Sequence, residues 1–380
     1  MLVGVVGKSN SGKSTFFKAL TLQDVEVGNR VFVTIKPNQG VAFVTAECPC
    51  KKLDVKCKPQ NSKCVRGTRL IPVKLLDVAG LIPGAHQGKG LGNQFLDDLR
   101  QADALVHVLD ASGMTDEKGE FSEEGGHDPE KDIGMLEGEI DHWVFGIIEK
   151  NIEKLQRTAA AEKIPMERLI AKQLSGLGVQ EEDVGQALKI HQLGTLEFAA
   201  ALRKPILIAA NKADLMEAQK NIKRLQETHE LVPCSAESEL ALREAERKGL
   251  IEYIPGDGDF AVKDGVSEEQ KRALEFIKKV VMVPFGSTGV QRALNNAVFG
   301  LLGLIAVYPV ASISKLADSK GNVLPDAFLV REGTTLKEFA SKVHKDIGEG
   351  FIGGLDLKKM KIGADYQLRN GDVVEILFKK

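Results

Sequence analysis

Aromatic side chains are scarce. The 380 residues hold one Trp and three Tyr, too few for numerous aromatic-rich binding surfaces. Charge of one sign is also lacking: Lys and Arg number 51, Asp and Glu 53, for a formal net charge of −2. That excludes a chain coated in positive charge for nucleic acid and leaves local patches open. No apolar run reaches the roughly 20 residues that cross a bilayer, and the longest, residues 298–310, reads as a core helix. The first residues show no basic stretch ahead of an apolar one, and no lipidation signature stands out. A cytosolic protein without a membrane partner is therefore expected. Cysteines number five, four of them within residues 48–64, which is no disulfide scaffold for a chain of this length.

What is present is ordinary globular composition, 43% hydrophobic and 27% charged, in a length that suits two to three domains. Short apolar runs at residues 2–6, 70–76, 104–109, 205–210 and 231–234 read as buried strands. Polar residues of functional type follow each of them. This pattern predicts an α/β fold with a doubly wound parallel sheet and ligand loops at the carboxyl ends of its strands. The rhythm breaks over residues 113–200. Residues 113–150 carry twelve acidic and three basic side chains, and helical spacing takes over from Ile133. Residues 184–202 read as one helix, as do 275–283 and 290–307, the last ending at Pro309. Beyond residue 310 short strands are expected at 327–330, 366–368 and 373–378, with a helix near 336–345. The turn Arg369-Asn370-Gly371-Asp372 precedes the last strand.

Gly7-Lys8-Ser9-Asn10-Ser11-Gly12-Lys13-Ser14 fits the G-x-x-x-x-G-K-[ST] loop, between a strand and a helix that continues through Thr15. Its glycines let backbone N–H groups wrap phosphates at a helix N-terminus. Lys13 would reach the β- and γ-phosphates, and the Ser14 hydroxyl would ligate Mg²⁺. Asp77-Val78-Ala79-Gly80 ends a strand; Asp77 would hold Mg²⁺ and the Gly80 N–H would sense the γ-phosphate. Asn211-Lys212-Ala213-Asp214 ends another. The Asp214 carboxylate can accept from both N1–H and the exocyclic amine of guanine, a donor pair adenine lacks. Asn211 would brace the loop, and the Lys212 stem would cover the base. In Ser235-Ala236-Glu237 the Ala236 N–H would donate to guanine O6.

Together these motifs resemble a translation-factor-type GTPase and, more narrowly, the Obg superfamily. The narrower likeness rests on residues 77–92, DVAGLIPGAHQGKGLG, the following Phe95-Leu96-Asp97-Asp98-Leu99-Arg100, and Val33-Thr34-Ile35-Lys36-Pro37-Asn38-Gln39-Gly40. A helical insertion plus a small C-terminal domain resembles the YchF-like subfamily. Residues 323–377 resemble a TGS domain, the β-grasp module of threonyl-tRNA synthetases and stringent-response enzymes. The implied organisation is a P-loop G domain at 1–112 and 201–309, a helical insertion at 113–200 and a TGS-like β-grasp domain at 310–380. The resemblance implies GTP hydrolysis with Mg²⁺, a nucleotide-dependent switch and a ribosome or RNA partner. Many YchF-like proteins carry Glu at the position of Asp214 and prefer ATP; the intact Asn-Lys-x-Asp here argues for GTP. The alternatives are an ATP-hydrolysing YchF-type ATPase and a nucleotide-gated ribosome- or RNA-binding module with negligible turnover.

Lys13, Thr34 and Gly80 are the catalytic candidates, with Thr34 a second Mg²⁺ ligand and γ-phosphate sensor or else a plain strand residue. Ras-like enzymes place a water-orienting Gln just after Asp-x-x-Gly. Leu81 stands there instead, so slow intrinsic turnover is expected. His86 and Gln87 lie nearby, either catalytic or packing a switch. Asn10 resembles the P-loop Asn of potassium-stimulated GTPases, where it helps hold K⁺; alternatively it only tolerates the loop's dihedrals. Cys48, Cys50, Cys57 and Cys64 offer four thiolates to Zn²⁺, but C-x-C-x₆-C-x₆-C is not the paired C-x₂-C spacing. The other readings are a loop of reduced or disulfide-paired cysteines, or a metal or redox sensor. Residues 51–69 carry seven basic side chains and one acid, a candidate ribosome or RNA contact expected beside the switch. Residues 331–380 hold ten basic and eight acidic side chains, a balance that demands no RNA.

Overall fold

The computed structural model describes residues 1–21, 39–78, 80, 84–87, 92–121 and 126–379. Seven strands build the first sheet: β1 (Leu2–Val6), β2 (Gln39–Glu47), β3 (Lys63–Val65), β4 (Thr68–Asp77), β5 (Ala104–Asp110), β6 (Ile206–Asn211) and β7 (Leu231–Pro233). Their order is β2-β4-β1-β5-β6-β7, with β3 also on β4. β5 is buried along its whole length, as a central strand covered on both faces requires. The pairings β4–β1, β1–β5, β5–β6 and β6–β7 are parallel. The sheet is mixed, however, not wholly parallel as expected: β2 and β3 both run antiparallel to β4. Only twenty residues separate Glu47 from its partner Thr68, and no crossover helix is needed for an antiparallel return. β3 turns into β4 through Arg66 and Gly67, both at positive φ (49° and 81°), the twist-matched two-residue turn.

On the sheet lie α1 (Lys13–Thr21) and α3 (Gly92–Gln101), with the single turn α2 (Pro49–Lys52) between them in sequence. The interrupted stretch is helical: α4 (Pro129–Glu149), α5 (Ile152–Glu162), α6 (Met166–Gln173), α7 (Glu181–Ile190) and α8 (Leu196–Ala200). Asp128 caps α4 and Pro129 opens it. Ile133, Leu136, Ile140, Val144 and Ile148 form its buried stripe. Leu136, Ile140, Val144 and Ile148 share one core with Phe95 and Leu99 of α3, so the insertion packs against the sheet's own helix layer. The single helix expected over 184–202 is two. Gly194 at φ 83° breaks it, and the Thr195 hydroxyl accepts the Phe198 N–H to start α8.

The chain continues through α9 (Met216–Leu225), α10 (Ala236–Arg247), the small ribbon β8 (Ile251–Glu252) and β9 (Ala261–Val262), and α11 (Glu268–Ile277). The helix expected over 290–307 runs as Val290–Asn295 and a π-helical segment Asn296–Leu301. Gly303 at φ 56° then ends it. Leu304–Val310 is instead a strand, β10, of a second sheet completed by β11 (Phe328–Arg331), β12 (Phe351–Leu355), β13 (Lys361–Ile362) and β14 (Val373–Phe378), in the order β11-β10-β14-β12-β13. Pro309 lies inside that strand, past its last pair with β11 at Val307, where a missing N–H breaks no bond to β11. No strand forms at 366–368; Gln367 makes a lone bridge to Thr335. Helix Leu336–Val343 covers the second sheet through Leu336 and Phe339. Tyr308, Leu324 and Val373 belong to the same core as Val44, Ile71 and Val73, so the two sheets are packed together. Among the described residues no helix is long and apolar enough to cross a membrane.

Candidate nucleotide site

The carboxyl ends of β1, β4, β6 and β7 bring the motifs to one edge. Gly7 is required by contact, and Gly12 by contact and by conformation. A Cβ on Gly7 would meet the Val108 carbonyl oxygen at 2.5 Å. One on Gly12, at φ 90°, would collide with Asn211 Nδ2. Lys8 and Ser11 are buried, whereas Ser9, Asn10 and Ser14 are exposed and Thr15 half-buried. The Lys13 ammonium contacts the Asp77 carboxylate and donates to the Val78 carbonyl at 2.8 Å. Gly80 lies beside the loop, 3.8 Å from Ser9 Oγ by its Cβ position. Thr34, Leu81 and the Gln87 side chain lie outside the described residues.

On the base side, Asn211 Nδ2 donates to the Ser11 carbonyl at 2.9 Å, and Asn211 Oδ1 accepts the Ala236 N–H at 2.9 Å. One buried amide therefore ties the phosphate loop to the Ser235-Ala236-Glu237 loop. The O6 contact expected of the Ala236 N–H is not what this arrangement presents, since Asn211 takes that proton. Ser235 Oγ donates to Asp214 Oδ1 at 2.7 Å and accepts the Ser238 N–H, which caps α10. Glu237 is exposed in the first turn of that helix. Lys212, at φ 65°, extends to Asp110 Oδ2 at 2.9 Å. Burial pushes the Asp110 carboxyl up, but the Ser112 and Thr115 hydroxyls and the Lys212 ammonium outweigh it and hold it below the usual carboxylate range.

The phosphate side has partners that sequence reasoning missed. Lys8 Nζ donates to the Thr115 carbonyl at 2.7 Å and pairs with Asp132 of α4 at 2.7 Å, both side chains 2% exposed. His127 Nε2 takes the other Asp132 oxygen at 2.8 Å. Asn10 Nδ2 donates to the Gly119 carbonyl at 2.9 Å. Glu139 of α4 accepts the Gly84 N–H at 2.6 Å and the His86 N–H at 2.9 Å, and its Oε2 lies 2.6 Å from His86 Nδ1. The His86 ring stacks on His142 with centroids 5.1 Å apart. Burial raises the Glu139 carboxyl, yet these three bonds outweigh it and hold the group down. His86 is thus gripped by the insertion, the packing alternative of its two expected roles.

The oxygen donors Ser14 and Asp77, one residue and one ion pair away from Lys13, suit a hard cation such as Mg²⁺. The four motif cysteines form a separate cluster. The loop expected near the switch lies away from the Asp77 end of β4. Cys64 pairs with Arg69 at the start of β4, and Asp77 ends that strand about 25 Å away.

Three family models match: a "50S ribosome-binding GTPase" over residues 2–136, an "Obg-like GTPase YGR210-like, G4 motif-containing domain" over 209–312 and a "TGS domain" over 320–378. A GTP-binding protein of Methanocaldococcus jannaschii is 47% identical over 391 aligned residues, covering 99% of this chain and 98% of the relative. The "Ribosome-binding ATPase YchF" of Haemophilus influenzae is 27% identical, covering 99% of this chain and 98% of its own. The crystal structure of a GTP-binding protein from Pyrococcus horikoshii matches with a TM-score of 0.78 and 39% identity over the whole of both chains. With these family models and a relative 47% identical across nearly the whole of both chains, the chain belongs to the Obg-like, YchF-related family of P-loop GTP-binding proteins that carry a C-terminal TGS domain.

Proposed function

We propose that the chain hydrolyses GTP with Mg²⁺ and acts as a nucleotide-dependent switch on the ribosome. The observation that carries the base choice is Asp214 held by Ser235 Oγ at 2.7 Å at the end of β6, beside the Asn211 bridge. A carboxylate fixed there accepts two donors from guanine and none from adenine. Lys13 can exchange the Asp77 and Val78 oxygens for those of a bound phosphate chain. Ser14, Asp77 and Thr34 would hold Mg²⁺, which would supply positive charge against that of the phosphates. The Gly80 N–H would report on the γ-phosphate. Leu81 carries no group that orients water, so turnover rests on phosphate positioning and on help from outside. Asn10, its amide nitrogen engaged by Gly119, keeps its carbonyl oxygen as a ligand for K⁺. The ribosome enters through the names of the family model and of the YchF relatives, with the exposed Lys51, Lys52, Lys56, Lys58 and Arg66 as the RNA-facing surface.

Paired titrations of GTP and ATP, with wild type and Asp214→Glu in Mg²⁺ and KCl, test this reading. Wild type is expected to prefer GTP by about 10²-fold or more, near 2.7 kcal/mol, and the substitution to erode that preference. Equal or tighter ATP binding would move the chain to the ATPase reading of its relatives. Turnover in the same buffers should be slow, faster in K⁺ than in Na⁺, and raised by ribosomes. No turnover with ribosomes present would leave a nucleotide-gated binding module.

A further inference from the structure

Residues 48–64 have little of their own to hold them in shape. Between Cys50 and Cys57 only Leu53 and Val55 pack against the core, amid closely spaced lysines. Yet the segment is ordered enough to dock the second sheet. The Lys58 N–H donates to the Val323 carbonyl at 2.8 Å and the Gln60 N–H to that of Pro325 at 2.6 Å. Asn61 exchanges two bonds with Ala327 at 2.9 and 3.0 Å. A small loop of this kind needs a staple. Disulfides do not supply it, because all the cysteines are free. The Sγ atoms of Cys48, Cys50, Cys57 and Cys64 all lie within 4.8 Å of one another, and those of Cys50 and Cys64 are 3.8 Å apart. Four sulfurs at the Zn–S distance of about 2.3 Å in a tetrahedron are about 3.8 Å apart, whereas a disulfide needs about 2.05 Å.

Arg69 gives the second, independent observation. It is fully buried. Its Nη2 donates to the Leu324 carbonyl at 2.7 Å and its Nη1 to Ser62 Oγ at 3.2 Å, and the guanidinium lies over the Tyr308 ring at 5.2 Å. Among the described residues no carboxylate makes an ion pair with it within 4.0 Å. A buried cation without counter-charge is costly. Cys64 stands opposite Arg69 across β3 and β4, so the cysteine cluster brings groups able to carry negative charge beside the guanidinium, and the half-buried Asp326 carboxyl also feels the Arg69 charge.

We propose that Cys48, Cys50, Cys57 and Cys64 bind one Zn²⁺ as a tetrathiolate, and that this dianionic centre is the counter-charge of Arg69, which fastens the second sheet to the first through Leu324. The metal is structural: all four positions are taken by protein sulfur, which leaves none for substrate. The site stands at the opposite end of β4 from Asp77, so it holds whether or not the nucleotide reading does.

The full chain, purified under reducing conditions with no added metal or chelator, should carry one equivalent of zinc by elemental analysis. Exchange with Co²⁺ should give the thiolate charge-transfer and d–d bands of tetrahedral sulfur coordination. Cys57→Ser, at a half-buried position, should lose both. Should that variant fail to fold, wild type stripped by a strong chelator should show faster proteolysis and amide exchange over residues 304–378, restored by Zn²⁺ alone. Arg69→Leu keeps every ligand and should give up zinc to a competing chelator at least about tenfold more readily. Substoichiometric zinc with no cobalt spectrum, iron in its place, or a disulfide among the four cysteines would overturn the metal assignment. Unchanged zinc affinity in Arg69→Leu would overturn the counter-charge.

Discussion

On the base side of the cleft, Asn211, Asp214, Ser235 and Ala236 satisfy one another within two short loops. On the phosphate side, Lys8, Asn10 and His86 each find a partner in residues 115–139. The first half is closed on itself except for the Asn211 bond to the Ser11 carbonyl, and the second is strapped by the insertion. The insertion therefore acts on the phosphate side of the cleft. Its first helix grips the phosphate loop through Asp132 and the residues after Asp77-Val78-Ala79-Gly80 through Glu139, two turns apart on one face of one helix. A change at either position reaches the phosphates and leaves the guanine contacts alone.

Breaking the strap should have the largest effect. Lys8→Met leaves Asp132 buried with only His127 beside it, and losing one partner of such a pair costs about 3–5 kcal/mol. Urea unfolding should register a loss of that size, and adding Asp132→Asn should return most of it. A cost under about 1 kcal/mol for Lys8→Met would show that the pair does not hold the strap. His107, in β5 behind the phosphate loop, comes next. Burial first, and then the Lys8 charge, push its imidazole down from 6.5 to about 4. Between those values the unfolded chain binds a proton that the folded chain refuses. Stability should therefore fall as pH drops from about 6.5 to about 4, by about 3 kcal/mol from this group, and stay level with respect to it above. His107→Gln should flatten the slope in that window; a wild-type slope retained in the variant would assign it elsewhere.

The same contrast explains what the sequence made legible. Base and phosphate motifs are contiguous strings at strand ends, because a loop that wraps a ligand must come from neighbouring residues. Those strings could be read directly. Partners of Lys8, Asn10 and His86 lie 53 to 124 positions away, in an acidic stretch whose charges look like a solvated surface. Only the packing of α4 on α3 reveals that Asp132 and Glu139 are buried. The mistaken helix over 290–307 has a related cause. Residues 304–310 are apolar throughout, and period alone does not separate a buried strand from a buried helix. Pairing with β11 and β14 decided it. The cysteine spacing was legible as a set of ligands. Its place at the far end of β4 was not, because that depends on the antiparallel return of β2.

The smallest expected effect sharpens the comparison most. Ser235→Ala removes one hydroxyl that holds Asp214 and also caps α10. The lost cap should cost about 1 kcal/mol of stability. The loosened carboxylate should weaken guanine binding by about five- to tenfold, the worth of one hydrogen bond of about 1–1.4 kcal/mol. Because the base half is closed on itself, the defect should appear in KM for GTP and not in kcat, which should stay within about twofold. Ser235→Thr keeps the hydroxyl and should restore most of the affinity. If kcat falls in step with affinity, the Asn211 bridge between Ser11 and Ala236 transmits base-side disorder into the phosphate loop. The two halves would then be one cooperative unit, and the insertion a brace for the whole cleft.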